Sequence, residues 1–325
     1  MTRKPRPRRS PLPQRDGVDA VRLKLPVDGG WATVRDHLVE RLAPQAGVID
    51  AMLAAGEFVT MEGPVKPDAP YVAGQLIWFH RDLAPEVPVP FPIDVLYRDE
   101  HLVVADKPHF LATTPRGSHV TQTALARLRR ELDLPQLSAA HRLDRLTAGV
   151  VMFIVRPEER GRYQTLFSAK AVRKEYEAVA PHDPTLELPR TVLSRIEKVR
   201  GIIAASEIPG EPNSESRIEL LDHRPAPGHG DAGLGRYRLR PQTGRTHQLR
   251  VHMNSLGLPL LGDPVYPDVL PQPPADDFTR PLQLLATTLE FSDPITGKQH
   301  SFTTRRTLQA WEAYDRWAGD APTTD

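Results

Sequence analysis

Asp144 is a carboxylate set between two guanidinium groups, in the run His141-Arg142-Leu143-Asp144-Arg145-Leu146-Thr147-Ala148-Gly149. The residues that follow, Val150-Val151-Met152-Phe153-Ile154-Val155, are apolar and rich in β-branched side chains, the pattern of a short buried strand. An acid that opens such a strand is anchored by the core behind it and can still face a cleft. Arg142 and Arg145 stay charged and favour a charged carboxylate beside them. The combination suits a reactive carboxylate that works against a polyanion. An Asp that only caps a turn and pairs with a neighbouring arginine fits the same nine residues.

Two other segments shift the balance towards chemistry. In Lys174-Glu175-Tyr176-Glu177-Ala178-Val179-Ala180, residues two apart share a strand face. Lys174 and Tyr176 therefore offer a cation and a flat phenol to one pocket, unless Tyr176 is simply a core residue. In the stretch from Arg236 to His252, Arg236, Arg238 and Arg240 share one face of a predicted strand. No acid occurs from Ala232 to Gly262. Gly244 allows a tight turn into a helix predicted over 246–256, which puts Arg245 at a helix N-terminus, where free N–H groups favour anions. Arg245 leads the stripe Leu249, Met253, Leu256, and helix geometry turns Arg250 about 140° away from it. An arginine that begins a buried stripe needs an anionic partner, and Asp144 is the candidate. Arg236, Arg238, Arg240 and Arg250 are read as phosphate contacts, although arginines on a strand can also be an ordinary solvated face.

Competing chemistries lack their signatures. His247 and His252 are five apart rather than four, and no HExxH pattern exists, so no metal site is expected. No G-x-S-x-G elbow, Walker loop or GxGxxG fingerprint is present. The absence of cysteine removes thiolate chemistry and disulfides, and fits a reducing cytoplasm.

The elements that must position these residues fall into two parts. The Pro- and Arg-rich residues 1–16 read as a disordered basic arm with six basic residues against Asp16; it leaves −4 on the rest of a chain whose net charge is +1. Any polyanion must then be held by local patches and the arm rather than by a global field. Residues 17–83 read as a small α/β domain, with Val34, Leu38 and Leu42 at helical spacing, a helix over 48–55 stopped by Gly56, and strands at 58–60 and 76–79. Prolines 85, 88, 90 and 92 mark a stiff linker over 84–92. From 93 to 318 the pattern gives a strand at 102–105, a helix at 123–132, the strand 150–155, a helix from Pro157 to about Phe167, and strands near 172–180, 191–198, 216–221, 236–240, 284–291 and 299–304. A helix over 306–317 closes the domain, and 319–325 form a tail. Many strands with little βαβ alternation imply an α+β fold with a large, mostly antiparallel mixed sheet and flanking helices. No apolar stretch approaches a membrane span.

The motifs His141-Arg142-Leu143-Asp144…Thr147-Ala148-Gly149, Lys174-Glu175-Tyr176 and Thr243-Gly244-Arg245-Thr246-His247-Gln248-Leu249-Arg250-Val251-His252-Met253, closed by Leu261-Gly262-Asp263, resemble those of the RluA-type RNA pseudouridine synthases. Asp106-Lys107-Pro108 is similar to that family's entry segment, and the likeness spans about residues 93–305. Ala148, where the family usually has Ser, and Pro267, where Gly commonly follows the tyrosine, are small departures. Residues 17–83 loosely resemble the small RNA-binding domain named after a ribosomal small-subunit protein, but six basic residues face nine acidic ones there. The resemblance implies an isomerase that flips a uridine out of structured RNA and rejoins the base to the sugar through carbon. This rearrangement has no redox step, so no cofactor is expected. Asp144 would act at C1′, by attack or by proton abstraction from the sugar, with Arg245 orienting it. Tyr176 would stack on the base and assist proton transfer, and Arg142 would fill the gap left by the flipped nucleotide. Ribosomal RNA is favoured over transfer RNA as partner, and nothing demands more than a monomer. A catalytically silent RNA-binding or ribosome-assembly factor, or a base hydrolase that releases uracil, are the alternatives.

Overall fold

The computed structural model describes residues 10–42, 45–230 and 233–319. The chain divides into two compact units, Met1–Pro85 and Glu86–Asp325. Residues 1–9 of the expected basic arm, and 320–325 of the tail, lie outside the described residues. Residues 10–16 are not disordered: Asp16 and Gly17 both take positive φ (53° and 74°), and the turn they make lets Arg15 and Val18 exchange backbone hydrogen bonds.

In the first unit, strand β1 (Val21–Lys24) is followed by α1 (Val34–Leu42), α2 (Ala46–Ala54), β2 (Val59–Thr60), β3 (Gly63–Pro64) and β4 (Leu76–Phe79). The four strands pair antiparallel in the order β1-β4-β2-β3. Val34 and Leu38 of α1, and Ile49 and Leu53 of α2, each four residues apart, meet Phe58, Ile77 and Phe79 in one core. Gly56, at φ 69°, ends α2 in the left-handed conformation that side chains resist.

The second unit contains β5 (Asp94–Arg98), β6 (Leu102–Lys107), α3 (Ala124–Glu131), β7 (Ser138–Ala139), β8 (Ala148–Ile154), α4 (Arg160–Ser168), β9 (Val172–Pro181), β10 (Arg190–Glu197), β11 (Ser206–Ile208), β12 (Ser214–Arg224), β13 (Leu234–Pro241), α5 (Gln248–Ser255), β14 (Leu284–Ser292), β15 (Gln299–Thr303), α6 (Gln309–Glu312) and α7 (Tyr314–Gly319). Nine strands run in the order β11-β10-β12-β13-β9-β14-β8-β6-β5, with β15 added to β14 and β7 to β8. Of the strands named above, only β8 and β14 pair in parallel, so the sheet is mixed and mostly antiparallel, the α+β architecture expected. The closing helix expected over 306–317 is two short helices, because Ala313 is extended (φ −148°) and interrupts them. No described helix is long and apolar enough to cross a membrane.

The proline-rich stretch is not a free linker beyond Pro85. Glu86 accepts hydrogen bonds from the backbone N–H groups of Val120, Thr121 and Gln122 and from the Thr121 hydroxyl. Val89 N–H donates to Gln122 Oε1, and Arg127 donates to the Val89 carbonyl. These bonds tie 86–89 to the start of α3, where Thr123 caps the helix by accepting from Ala126 N–H.

Every residue of β8 is buried, which explains its unbroken apolar run. The strand begins where the parallel pairing places Gly149 opposite Ala286. A Cβ at Gly149 would lie 2.1 Å from the Ala286 carbonyl oxygen, and φ is 111°, so only glycine lets the two backbones meet here. Asp144 sits on the turn that feeds this crossing.

Candidate active site

The turn carrying Asp144 closes with a hydrogen bond from Thr147 N–H to the Asp144 carbonyl (3.1 Å). The last residue of β6 and the segment after it grip that turn at three carbonyls. Thr113 Oγ1 donates to Leu143 O (2.7 Å) and accepts from Leu143 N–H (3.0 Å). His109 Nδ1 donates to Leu146 O (2.7 Å). Lys107 Nζ reaches Arg145 O (3.4 Å) as well as Pro108 O (3.0 Å) and Leu111 O (2.7 Å). Lys107 is fully buried, and burial pulls its pKa down to about 7, with the charge on Asp144 working in the opposite direction. Asp144 is thus held by backbone clamps on both sides while its side chain stays about one-third exposed.

The carboxylate opens into a cleft of about 1170 Å³ whose lining includes Arg142, Arg145, Lys174, Tyr176, Arg245 and Arg250. Alternation along β9 sends Lys174 and Tyr176 into the cleft and Glu175 to the opposite face, as period two requires. Lys174 Nζ donates to the Thr243 carbonyl (3.1 Å), and burial lowers its pKa to about 8. The Tyr176 hydroxyl has its pKa raised, first by burial and then by the charge on Asp144, so the phenol keeps its proton at neutral pH.

The guanidinium beside Asp144 belongs to Arg250, not Arg245. Arg250 Nη1 lies 3.6 Å from Asp144 Oδ2. Its Nε and Nη2 donate to Asp263 Oδ2 and Oδ1 at 2.7 and 2.6 Å. Asp263 is itself fixed by the N–H groups of Val265 and Tyr266, and the Tyr266 ring lies 5.2 Å from the Arg250 guanidinium carbon. Burial opposes the charge on Arg250, but Asp263, and then Asp144, outweigh it and hold its pKa above the ordinary value. Arg245 is exposed and donates through Nε to the Asn213 carbonyl (3.2 Å).

The misplacement has a local cause. α5 starts at Gln248, because His247 takes a left-handed conformation (φ 58°) and breaks the helical phase before it. Arg245 therefore never joins the stripe of Leu249 and Met253. Gln248 shapes this turn, accepting from Thr243 Oγ1 (2.7 Å) and Arg245 N–H (3.0 Å). The same turn brings His247 Nε2 to 4.0 Å from Asp144 Oδ2, while His247 Nδ1 bonds Tyr266 Oη (3.0 Å). Because α5 is buried on all sides from Gln248 to Met253, an inward and an outward face cannot be told apart by periodicity.

Two of the three arginines of β13 are paired with acids. Arg238 lies 3.7 and 3.5 Å from Glu175 and Glu219, and Arg240 lies 2.8 and 3.0 Å from the same two carboxylates. Antiparallel register puts these acids of β9 and β12 beside them. Arg236 lies over the Trp311 ring, 5.3 Å from its centroid. None of the three lines the cleft. Arg238 and Arg240 form a cross-strand ladder with acids distant in sequence, so the acid-free stretch around them was no sign of a free basic surface.

Asp263, His247, Tyr266 and Lys107 are packed around Asp144 and Arg250 or the turn that carries Asp144, and sequence reasoning gave them no role. The signals for Asp263 were its place in Leu261-Gly262-Asp263, which closes the family-like motifs, and as the first acid after a long acid-free run. His141 is structural: Nε2 accepts from Met152 N–H (3.2 Å), and burial, then the Lys174 charge, lower its pKa to about 3.

Residues 101–255, which contain Asp144, Tyr176 and Arg250, match the family model described as RNA pseudouridylate synthase. The chain is 30% identical over 254 residues to the ribosomal large subunit pseudouridine synthase D of Yersinia pestis, covering 72% of this chain and 74% of that one. It is 30% identical over 266 residues to the protein of the same name from Vibrio vulnificus, covering 75% and 78%. The structure of human RNA pseudouridylate synthase domain containing 4 shares the fold, with a TM-score of 0.51 at 24% identity over 69% of this chain and 92% of that one. A lone carboxylate at the end of a buried strand, an inward tyrosine two strands away and an arginine at a helix start thus lie in a chain that belongs to the RNA pseudouridine synthase family, isomerases that act on uridines in RNA.

Proposed function

We propose that this protein converts specific uridines of ribosomal RNA to pseudouridine, with Asp144 as the group that acts at C1′. The observation that carries the assignment is the setting of Asp144: clamped by backbone bonds at the cleft floor, 3.6 Å from a guanidinium that Asp263 holds in place. The reaction breaks the C1′–N1 bond, turns the base, joins C1′ to C5, and moves the C5 proton away while N1 regains one. Asp144 serves by attack at C1′ or by removing a proton from the sugar. Arg250 keeps the carboxylate charged and aimed. Tyr176, protonated by its surroundings, lies where it can stack on a flipped uracil and pass protons near C5. Lys174, Arg142 and Arg245 line the cleft as contacts for the RNA backbone or for the space the flipped base leaves. Ribosomal RNA is favoured over transfer RNA because the relatives named above are ribosomal large subunit enzymes. A cytoplasmic monomer is consistent with that role.

The test is pseudouridine mapping of ribosomal RNA from cells with and without the protein, followed by the same assay on purified Asp144→Asn. The expected result is at least one position that loses pseudouridine with the gene, and a folded variant that binds RNA but forms none. Continued isomerisation by Asp144→Asn refutes the role given to Asp144.

A further inference from the structure

Arg145 follows Asp144 on the same turn, lines the same cleft, and has no carboxylate within salt-bridge distance among the described residues. Its one hydrogen bond there is a long one, from Nη1 to the Phe110 carbonyl (3.5 Å). A guanidinium carries five donors, so most of this fork has no protein partner among the described residues and is open to a ligand in the cleft. It is half-buried, and burial alone lowers its pKa, with no acid contributing in the other direction. Arg250 has Asp263, and Arg238 and Arg240 have Glu175 and Glu219, whereas Arg145 is partly desolvated and has no carboxylate within salt-bridge distance among the described residues. A half-buried arginine of that kind costs stability unless an anion comes to it.

Its surroundings are built rather than loose. The Arg145 carbonyl is held by Lys107, and the flanking carbonyls by Thr113 and His109. Arg116 and His119 lie on the neighbouring wall of the cleft, in a turn closed by two mutual backbone hydrogen bonds of 2.8 and 3.1 Å. That turn runs into Val120–Gln122, which Glu86 fastens. His119 is close enough to Arg145 that, after burial, the arginine charge is the next cause of its lowered pKa. Arg145 and Arg116 thus give this part of the cleft two guanidinium groups on a hydrogen-bonded backbone, with His119 a neutral imidazole beside them.

We propose that Arg145, with Arg116 and His119 on the neighbouring wall, forms a subsite for one phosphodiester flanking the target uridine. This rests on the reading of the cleft as a uridine-isomerising site. Asp144 and Arg145 are consecutive and line the same cleft, so a phosphate bound by Arg145 can belong to the nucleotide whose C1′ Asp144 addresses. The two phosphodiesters of a nucleotide hang from the same ribose, and a planar fork matches a phosphate in bidentate fashion. Such a contact would place the sugar relative to Asp144 and offset the cost of the stranded charge only when RNA is bound.

The test uses a synthetic stem–loop spanning the uridine found by mapping, made with natural phosphates or with one uncharged methylphosphonate on either side of that uridine. Wild-type, Arg145→Gln and Arg145→Lys proteins are compared by single-turnover rate, RNA affinity and melting temperature. We expect Arg145→Gln to weaken RNA binding about tenfold, a value of the order given by one charge-assisted contact, and to reduce the salt slope by about 0.7. Arg145→Lys should recover part of the loss. At one flanking position only, the methylphosphonate should weaken wild type but cost Arg145→Gln nothing further. Additive losses at both positions, or a variant with unchanged affinity and salt slope, overturn the proposal. Formation of pseudouridine by wild type is the control: if it forms none, the functional reading fails, and the affinity and salt-slope comparison with a uridine dodecamer still decides whether Arg145 meets phosphate.

Discussion

Arg250 serves two carboxylates at once: it closes on Asp263 through Nε and Nη2 at 2.7 and 2.6 Å, and presents Nη1 to Asp144 at 3.6 Å. Asp263 is fully buried and Asp144 is partly open to the cleft, so the two contacts do different work. The first fixes the guanidinium plane. The second lets that fixed plane orient a carboxylate that must meet substrate. A single arginine free to follow Asp144 would offer no such aim.

Arg250→Met should abolish turnover and cost about 3–5 kcal/mol of stability, because it leaves Asp263 charged, buried and unpaired. Adding Asp263→Asn should restore part of the melting temperature but none of the activity. Arg245→Met should shift stability by no more than about 0.5 kcal/mol and leave kcat close to wild type. An Arg245→Met protein as inactive as Arg250→Met would reverse the assignment.

Tyr176→Phe keeps the ring and removes the hydroxyl. It should lower kcat by roughly 10²–10⁴-fold, the usual range for a lost proton-transfer group, with little change in KM. Tyr176→Ala should in addition weaken RNA binding by about 1–3 kcal/mol, the worth of one stacked base. Because burial and then the Asp144 charge raise the phenol above its ordinary pKa, the wild-type rate profile should show no tyrosine ionisation near its usual value.

Arg238→Ala and Arg240→Ala should leave RNA affinity and its salt slope unchanged, and cost about 0.2–1 kcal/mol each, since these partly exposed arginines already answer Glu175 and Glu219. Lys174→Ala, in the cleft, should lower both affinity and salt slope. Equal effects from the two sets, measured by fluorescence titration at several salt concentrations, would return the β13 face to the RNA.

Stability should fall as pH drops from about 6.5, the ordinary histidine value. Burial depresses His141 to about 3, and His109 and His252 to about 4. Between those values and 6.5 the unfolded chain binds protons that the folded one refuses, so unfolding gains with acid. His141→Gln, which keeps an acceptor for Met152 N–H but does not titrate, should flatten the fall in melting temperature over that window. An unchanged slope would show that His141 is protonated in the folded state.

Local pattern carried the strand of 150–155, the inward Lys174 and Tyr176, and the clustering of chemistry at Asp144, because burial period and turn chemistry act over a few residues. The same reasoning misassigned Arg245, since one residue in an unusual conformation, His247, resets helical phase without any mark in the residue types. It missed the order in residues 10–16 and the anchoring of 86–89 because composition registers prolines and charges, not the partners they find.

What the sequence determined by itself is the inventory: one carboxylate ahead of a buried strand, one inward tyrosine, an excess of arginines, and motifs that resemble a family of RNA isomerases. What only the tertiary structure decided is which charge answers which. Glu175 and Glu219 neutralise arginines of β13 across strands, Asp263 claims Arg250 from thirteen residues away, and Arg145 is left with no acid among the described residues. Coulomb attraction depends on distance in space and on local burial, and neither is written in sequence order.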